Sequence, residues 1–148
     1  MIWLLTLSER KTREMIKNLV LSTFSGAGLL DRGFVQAGYC VVSAGDPMFG
    51  QMPIQEFHPP AGAFEGVIGG PPCTGESRLA HLNGKVGFSL ANEFRRIINE
   101  AAPTWWLMEG VIRHDWAPQI VTLSPRHLGC EQSRTRYFHS NLSLEPFL

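Results

Sequence analysis

From Leu19 to Phe24 the chain reads Leu-Val-Leu-Ser-Thr-Phe, a short apolar, β-rich run that ends in Ser25-Gly26-Ala27-Gly28. That pattern predicts a buried strand entering a tight turn. Leu30, Phe34 and Ala37 then fall at i, i+4 and i+7, one face of a helix that Gly38 would end. A second strand is expected over Tyr39 to Ala44, closed by Gly45-Asp46-Pro47. Strand, glycine-rich turn, helix and strand within about 30 residues make a βαβ unit, whose crossover needs a helix of this length.

The next stretch, Met48 to Ala63, holds Pro53, Pro59 and Pro60 and shows no period. Phe64 to Gly69 reads as another short strand, followed by Gly70-Pro71-Pro72-Cys73 and a polar loop to about Gly87. Leu90, Phe94, Ile97, Ile98 and Ala101 form an apolar stripe with charged residues between them. They predict an amphipathic helix that starts near Ser89 and stops before Pro103. Trp105 to Met108 is a strand ending in Glu109-Gly110, Ile120 to Leu123 a weaker one, and Arg136 to Leu142 a final apolar-polar stretch. Residues 1–17 read as a leader whose Glu9, Arg10, Lys11, Arg13, Glu14 and Lys17 give a solvated face, with a basic arm on DNA as the alternative. Residues 18–148 read as one α/β domain with a largely parallel sheet. Ligands gather beyond the carboxyl ends of such strands. The loops after Phe24, Gly69 and Met108 are therefore expected to face one crevice.

Composition narrows the classes. The 148 residues are 44% hydrophobic and 18% charged, as in an ordinary globular protein, and 13 Lys plus Arg balance 13 Asp plus Glu. Without a global positive field, any nucleic-acid contact must be local. No apolar run approaches the roughly 20 residues of a membrane span. Met1 to Leu7 is apolar but lacks a basic leader, so a secretory signal is not expected and the cytoplasm is. Cys40, Cys73 and Cys130 form no C-x-x-C pair, which argues against a zinc site or other metal and against a disulfide framework. Cys40, between Tyr39 and Val41-Val42, is expected to be an inert buried thiol, and Cys130 a structural one. Cys73 instead sits among loop-formers.

Two segments carry candidate chemistry. Gly26 and Gly28 let the backbone turn sharply and approach a ligand, although Asp31 stands where a dinucleotide fingerprint has its third glycine. Asp46 lies 20 residues after Gly26, at the end of the next strand, where a carboxylate can take two ribose hydroxyls. The pair suggests a nucleoside-bearing cofactor; a plain turn is the alternative. In Gly69-Gly-Pro-Pro-Cys73 two prolines fix the backbone just before a thiol. This is either a rigidly presented nucleophile or a turn with a spectator cysteine.

Thr23-Phe-Ser-Gly-Ala-Gly28, Gly69-Gly-Pro-Pro-Cys73, Met108-Glu-Gly-Val111 and Gln132-Ser-Arg-Thr-Arg136 occur in the order of four motifs of the DNA cytosine-5 methyltransferases. The chain resembles that family from about Leu19 to His139, and its phage and prophage branch most, through Glu56-Phe-His-Pro-Pro60 and His81-Leu-Asn83. The resemblance implies a Rossmann-like sheet and S-adenosyl-L-methionine as cofactor. Phe24, Gly26 and Gly28 would line it, with the Phe24 ring near the adenine, Asp46 at the ribose and Pro71 close by. Cys73 would attack carbon 6 of a cytosine, making carbon 5 nucleophilic toward the sulfonium methyl. Glu109 would hold and protonate ring N3, so that charge does not build on the ring. Arg134 and Arg136 would bind the base oxygen and a phosphate while orienting Glu109; Ser77, Gln132 and Arg134 would face the DNA. As surface charges on a hairpin, the two arginines would need no such role. The base must leave its stack to reach the pocket, at a cost of a few kcal/mol.

The sequence departs from the family pattern in places. After Pro72-Cys73 comes Thr74 where the family has Gln, and Glu76 puts a negative charge in a loop meant to close over a polyanion. Gly110 replaces an Asn, and the acidic residue of a further cofactor motif is absent near Pro53. The family's target-recognition domain and closing Asn-rich motif are not expected in this chain, so sequence reading would fall to a second polypeptide. Three functions are open: a DNA cytosine-5 methyltransferase, a remnant that binds cofactor or DNA without turnover, and a methyltransferase of cytosine in RNA. A zinc deaminase is excluded, because it needs a Pro-Cys-x-x-Cys pair and no second cysteine follows Cys73 at that spacing, nor is Ser77 a ligand in its place.

Overall fold

The computed structural model describes residues 18–47, 50–72 and 90–144. The expected leader 1–17, Cys73, Ser77 and the polar loop that carries them lie outside the described residues.

The βαβ unit is present. Strand β1 (Leu19–Thr23) leads through the glycine turn into helix α1 (Leu29–Gln36), and β2 (Cys40–Ala44) returns parallel to β1. Gly26 and Gly28 both have left-handed backbone, with φ of 51° and 69°, which explains why glycine stands at both positions of this turn. Next come β3 (Gly66–Gly69), α2 (Leu90–Ala101), β4 (Trp105–Gly110), β5 (Gln119–Leu123), a 3-10 turn (Pro125–Leu128) and β6 (Arg136–Ser140). They build one α/β sheet of six strands in the order β2-β1-β3-β4-β6-β5. The first four strands are parallel; β6 runs antiparallel to both β4 and β5, so the sheet is mixed and largely parallel.

Side chains alternate across the sheet with the period of two that pleating imposes. Leu21, Val67, Trp106 and Met108 point to one face, where α2 contributes Ala91, Phe94, Ile97, Ile98 and Ala101. Val20, Ile68 and Trp105 point to the other, where Leu30 and Phe34 of α1 pack with Tyr39. Phe34 stacks on Trp105 at 5.5 Å, while a Cβ on Gly66 would lie 2.3 Å from the same indole. Gly66 therefore gives the Trp105 ring its place against β3. Full burial of a side chain such as Phe94 contributes roughly 1.5–3 kcal/mol. Helix α2 ends where Ala102 turns into left-handed backbone ahead of Pro103, and Gly62 N–H caps the Ala101 carbonyl at 2.8 Å.

One expectation fails. Cys40 and Cys130 are both exposed. β2 is the edge of the sheet and α1 has no buried residue, so the apolar run around Cys40 borders a thinly covered margin. Among the described residues, no helix is long and apolar enough to cross a membrane, and no group of three or more His, Cys, Asp or Glu could hold a metal ion.

Candidate active site

The carboxyl ends of β1, β3 and β4 open onto one cleft of about 670 Å³. Its floor and walls include Phe24 and Gly26 from the first loop, Gly69 and Gly70 from the second, and Glu109 from the third. The three loops thus converge as the strand order demands. The opposite wall comes from the β5–β6 hairpin, through Leu123, Pro125, Leu128, Gln132, Arg134 and Arg136.

Glu109 lies opposite Phe138 in the β4–β6 pairing, and Leu123 lies opposite Arg136 in the β5–β6 pairing. Alternation therefore puts Glu109, Phe138, Arg136 and Leu123 on one face of the sheet, with Glu109 and Arg136 as diagonal neighbours. Long side chains can bridge such a diagonal. Arg136 Nε lies 2.8 Å from Glu109 Oε1, and its Nη1 donates to the Thr135 carbonyl at 2.8 Å. A Cβ on Gly70 would come 3.4 Å from Glu109 Oε2, so the second loop passes directly against the carboxyl. Burial pushes the Glu109 pKa above its ordinary value, and the positive charge of Arg134 opposes that shift without cancelling it. A carboxyl raised in this way is closer to the pKa that proton transfer near neutrality requires.

The first loop is held from below. Phe24 takes a left-handed φ of 54°, unusual for a bulky residue, and packs on the α2-side core while lining the cleft. Ser25 Oγ lies 2.8 Å from Ser43 Oγ and 3.0 Å from Ser22 Oγ, and Ser22 Oγ donates to Asp31 Oδ1 at 2.5 Å. Gly26 N–H donates to Asp46 Oδ2 at 3.0 Å.

Of the residues singled out from sequence, Phe24, Gly26, Glu109, Gln132, Arg134 and Arg136 meet in the cleft. Gly28, Asp46 and Pro71 are not among its lining residues. Gly28 is the N-cap of α1, and Asp46 is buried beneath the first loop. Pro71 and Pro72 share a small crevice with Met108, Glu109 and Gly110 on the other side of the carboxyl. The chain therefore runs past Glu109 immediately before it reaches Cys73.

The sequence reading missed Asp31 and the lip formed by Leu123, Ser124, Pro125 and Leu128. A signal for the lip was available. Ser124 accepts from Arg126 N–H, Pro125 opens the turn and Gly129 closes it, the residue types that cap a short helix.

No family model matches the chain.

Proposed function

We propose that this chain is the catalytic domain of a DNA cytosine-5 methyltransferase, with the Rossmann-like arrangement of S-adenosylmethionine-dependent enzymes. The observation that carries the reading is the Glu109–Arg136 pair, set in the cleft where three parallel strands end and flanked by Pro71 and Pro72. Four motifs in family order supplied the expectation, and six of the residues they named line this one cleft.

The cleft suits the implied cofactor. Its volume falls within the roughly 300–1,000 Å³ of small-molecule sites, and Phe24, Leu29 and Leu30 offer apolar walls to an adenine and a thioether. The cofactor would supply an electrophilic methyl group on its sulfonium. Phe24 and Gly26 would hold it against the ends of β1 and β3.

The remaining chemistry belongs to side chains of this chain. Glu109, with its pKa lifted by burial, donates a proton or a strong hydrogen bond to cytosine N3. Arg136 fixes Oε1 and so aims the carboxyl. Electron density drawn toward N3 makes carbon 6 electrophilic. The Cys73 thiolate adds there, forming a C–S bond while the 5,6 double-bond pair moves to carbon 5. Carbon 5 takes the methyl group, its proton leaves to a base, and expulsion of the thiolate restores the ring. Arg134 and Gln132, which line the cleft, would meet the base oxygen and the DNA backbone. Asp46 enters this reading through the first loop, whose Gly26 it holds.

Tritium transfer from labelled cofactor to cytosine-containing DNA, tested alone and with a second polypeptide supplying target recognition, checks the reading. Transfer that is lost in Cys73→Ser supports it. Transfer to RNA alone would move the substrate to RNA. Cofactor binding without transfer to either would favour the non-catalytic reading, to which Gly110 points as the residue in the Asn position.

A further inference from the structure

We infer that Asp46 is a positioning residue for the first loop and that its carboxylate does not contact the cofactor's ribose. This rests on the proposed reading of the cleft as a site for a nucleoside-bearing cofactor.

The argument begins with placement. Asp46 is 6% exposed and lies outside the lining of the cleft, two residues beyond the end of β2. Its Oδ2 accepts the Gly26 N–H at 3.0 Å. A charged acceptor makes this one of the stronger hydrogen bonds a backbone amide can form. Gly26 has left-handed backbone and sits midway between the end of β1 and the start of α1. Holding its N–H fixes the path of the chain where it lines the cleft.

The brace is itself braced. Asp46 N–H donates to Gln51 Oε1 at 3.0 Å, and Gln51 Nε2 donates to the Ser43 carbonyl at 3.2 Å. Ser43 Oγ meets Ser25 Oγ at 2.8 Å. Ser25 and Gly26 are therefore gripped as a pair by Ser43 and Asp46, with Gln51 spanning the two. Gly45, just before Asp46, packs under Ile54 so closely that a Cβ would lie 2.4 Å from Ile54 Cδ1. Arg96 of α2 donates to the Ile54 carbonyl at 2.7 Å and to the Phe57 carbonyl at 3.1 Å. A continuous set of contacts thus runs from α2 through Ile54 and Gly45 to Asp46, and from there into the loop that faces the cofactor.

A carboxylate that binds a ribose and one that braces a loop differ in what they require. Two vicinal hydroxyls need two acceptor oxygens presented to the cleft. Bracing the loop needs an acceptor for the Gly26 N–H, and Asn can supply it.

Two measurements on the full chain test the inference. Without ligand, amide hydrogen exchange at Gly26 should quicken about tenfold or more in Asp46→Ala, the loss expected for one hydrogen bond to a charged group. In Asp46→Asn it should stay close to the wild-type rate. Unchanged exchange in Asp46→Ala would overturn the brace. In calorimetric titrations, S-adenosylhomocysteine is compared with its 2′,3′-dideoxy analogue. Loss of both hydroxyls should weaken binding by the same factor in the wild type and in Asp46→Asn. If the penalty disappears in Asp46→Asn, the carboxylate reads the ribose and the inference fails. If the wild type binds neither compound, the cofactor reading fails, and the exchange rates alone decide whether Asp46 holds the loop.

Discussion

Arg136 Nε lies 2.8 Å from Glu109 Oε1, a contact between the first residue of one strand and the penultimate residue of its antiparallel neighbour. The antiparallel placement of β6 beside β4 is what makes it possible. A β6 running parallel to β4 would have presented its first residue at the other end of the strands, beside Trp105. Burial favours the neutral acid and the positive charge of Arg134 favours the anion, and the balance leaves the Glu109 pKa raised; the Arg136 guanidinium, in direct contact, also favours the anion.

Removing the guanidinium should tip that balance further. In Arg136→Ala the Glu109 carboxyl is expected to titrate at a higher pH than in the wild type, as read by carbon-13 NMR of the labelled side chain. Methyl transfer should fall by about 10²-fold or more, the usual scale for loss of a positioned acid-base group. Arg136→Lys keeps the charge without the planar fork and should restore the titration more fully than the rate. An unchanged titration in Arg136→Ala would separate the two residues.

His139 ties the same strands together from the buried face. Its Nε2 accepts the His114 N–H at 2.9 Å, and its Nδ1 lies 3.4 Å from the Met108 carbonyl, which fits a neutral ring protonated on Nδ1. Burial is the main cause of its lowered pKa; the positive charge of Arg113 and the neighbouring His114 add to it, while the Met108 contact and Asp115 oppose it. The folded state therefore holds this proton less tightly than the unfolded chain, whose histidine titrates near 6.5. Stability contributed by His139 is present above that pH and is lost as pH falls from about 6.5 toward the folded-state value. One proton sets the limit, about 1.4 kcal/mol per pH unit. Urea unfolding at a series of pH values should show this slope in the wild type and its loss in His139→Leu. An identical slope in the variant would remove His139 as its cause.

Arg96 should matter to a part of the molecule far from its own helix surface. It pairs with Glu93 and Glu100 at 2.8 Å each and also holds the Ile54 and Phe57 carbonyls. Arg96→Met keeps most of the side chain's packing but leaves both carbonyls without this donor. The expected loss is about 2 kcal/mol in urea unfolding, the scale for breaking bonds to a charged group. Amide exchange around residues 54–57 should quicken at the same time. A stability loss without that local change would place the effect within α2 alone.

Much of the framework was legible because it obeys short-range rules. The β1–α1–β2 unit announces itself through an apolar run, two glycines and the spacing of Leu30 and Phe34. The α2 stripe predicts its buried face well, since Phe94, Ile97, Ile98 and Ala101 all pack in the core. Cys40 was misjudged because an apolar run does not reveal that its strand lies at a sheet edge. In the site, Glu109 and Arg136 could be named from the motifs, but their contact depends on the β4–β6 register. Asp46 is legible as an acid at a strand end, whereas its bond to Gly26 follows from the packing of Gly45 under Ile54 and the Gln51 contact to Asp46. The Arg96 clamp joins segments about 40 positions apart, and no local pattern encodes it.

The central claim, that Cys73 adds to a cytosine while Glu109 serves its ring nitrogen, is tested most directly by trapping the adduct. DNA carrying 5-fluorocytosine cannot lose a proton from carbon 5 after methyl transfer, so the C–S bond should persist. Incubated with this DNA and S-adenosylmethionine, the wild-type chain should yield a denaturation-resistant complex whose peptide mass places the link at Cys73. Cys73→Ser should yield none, and Glu109→Gln should form it far more slowly. A wild-type chain that binds both cofactor and DNA yet forms no covalent complex, or forms one through another residue, would contradict the account.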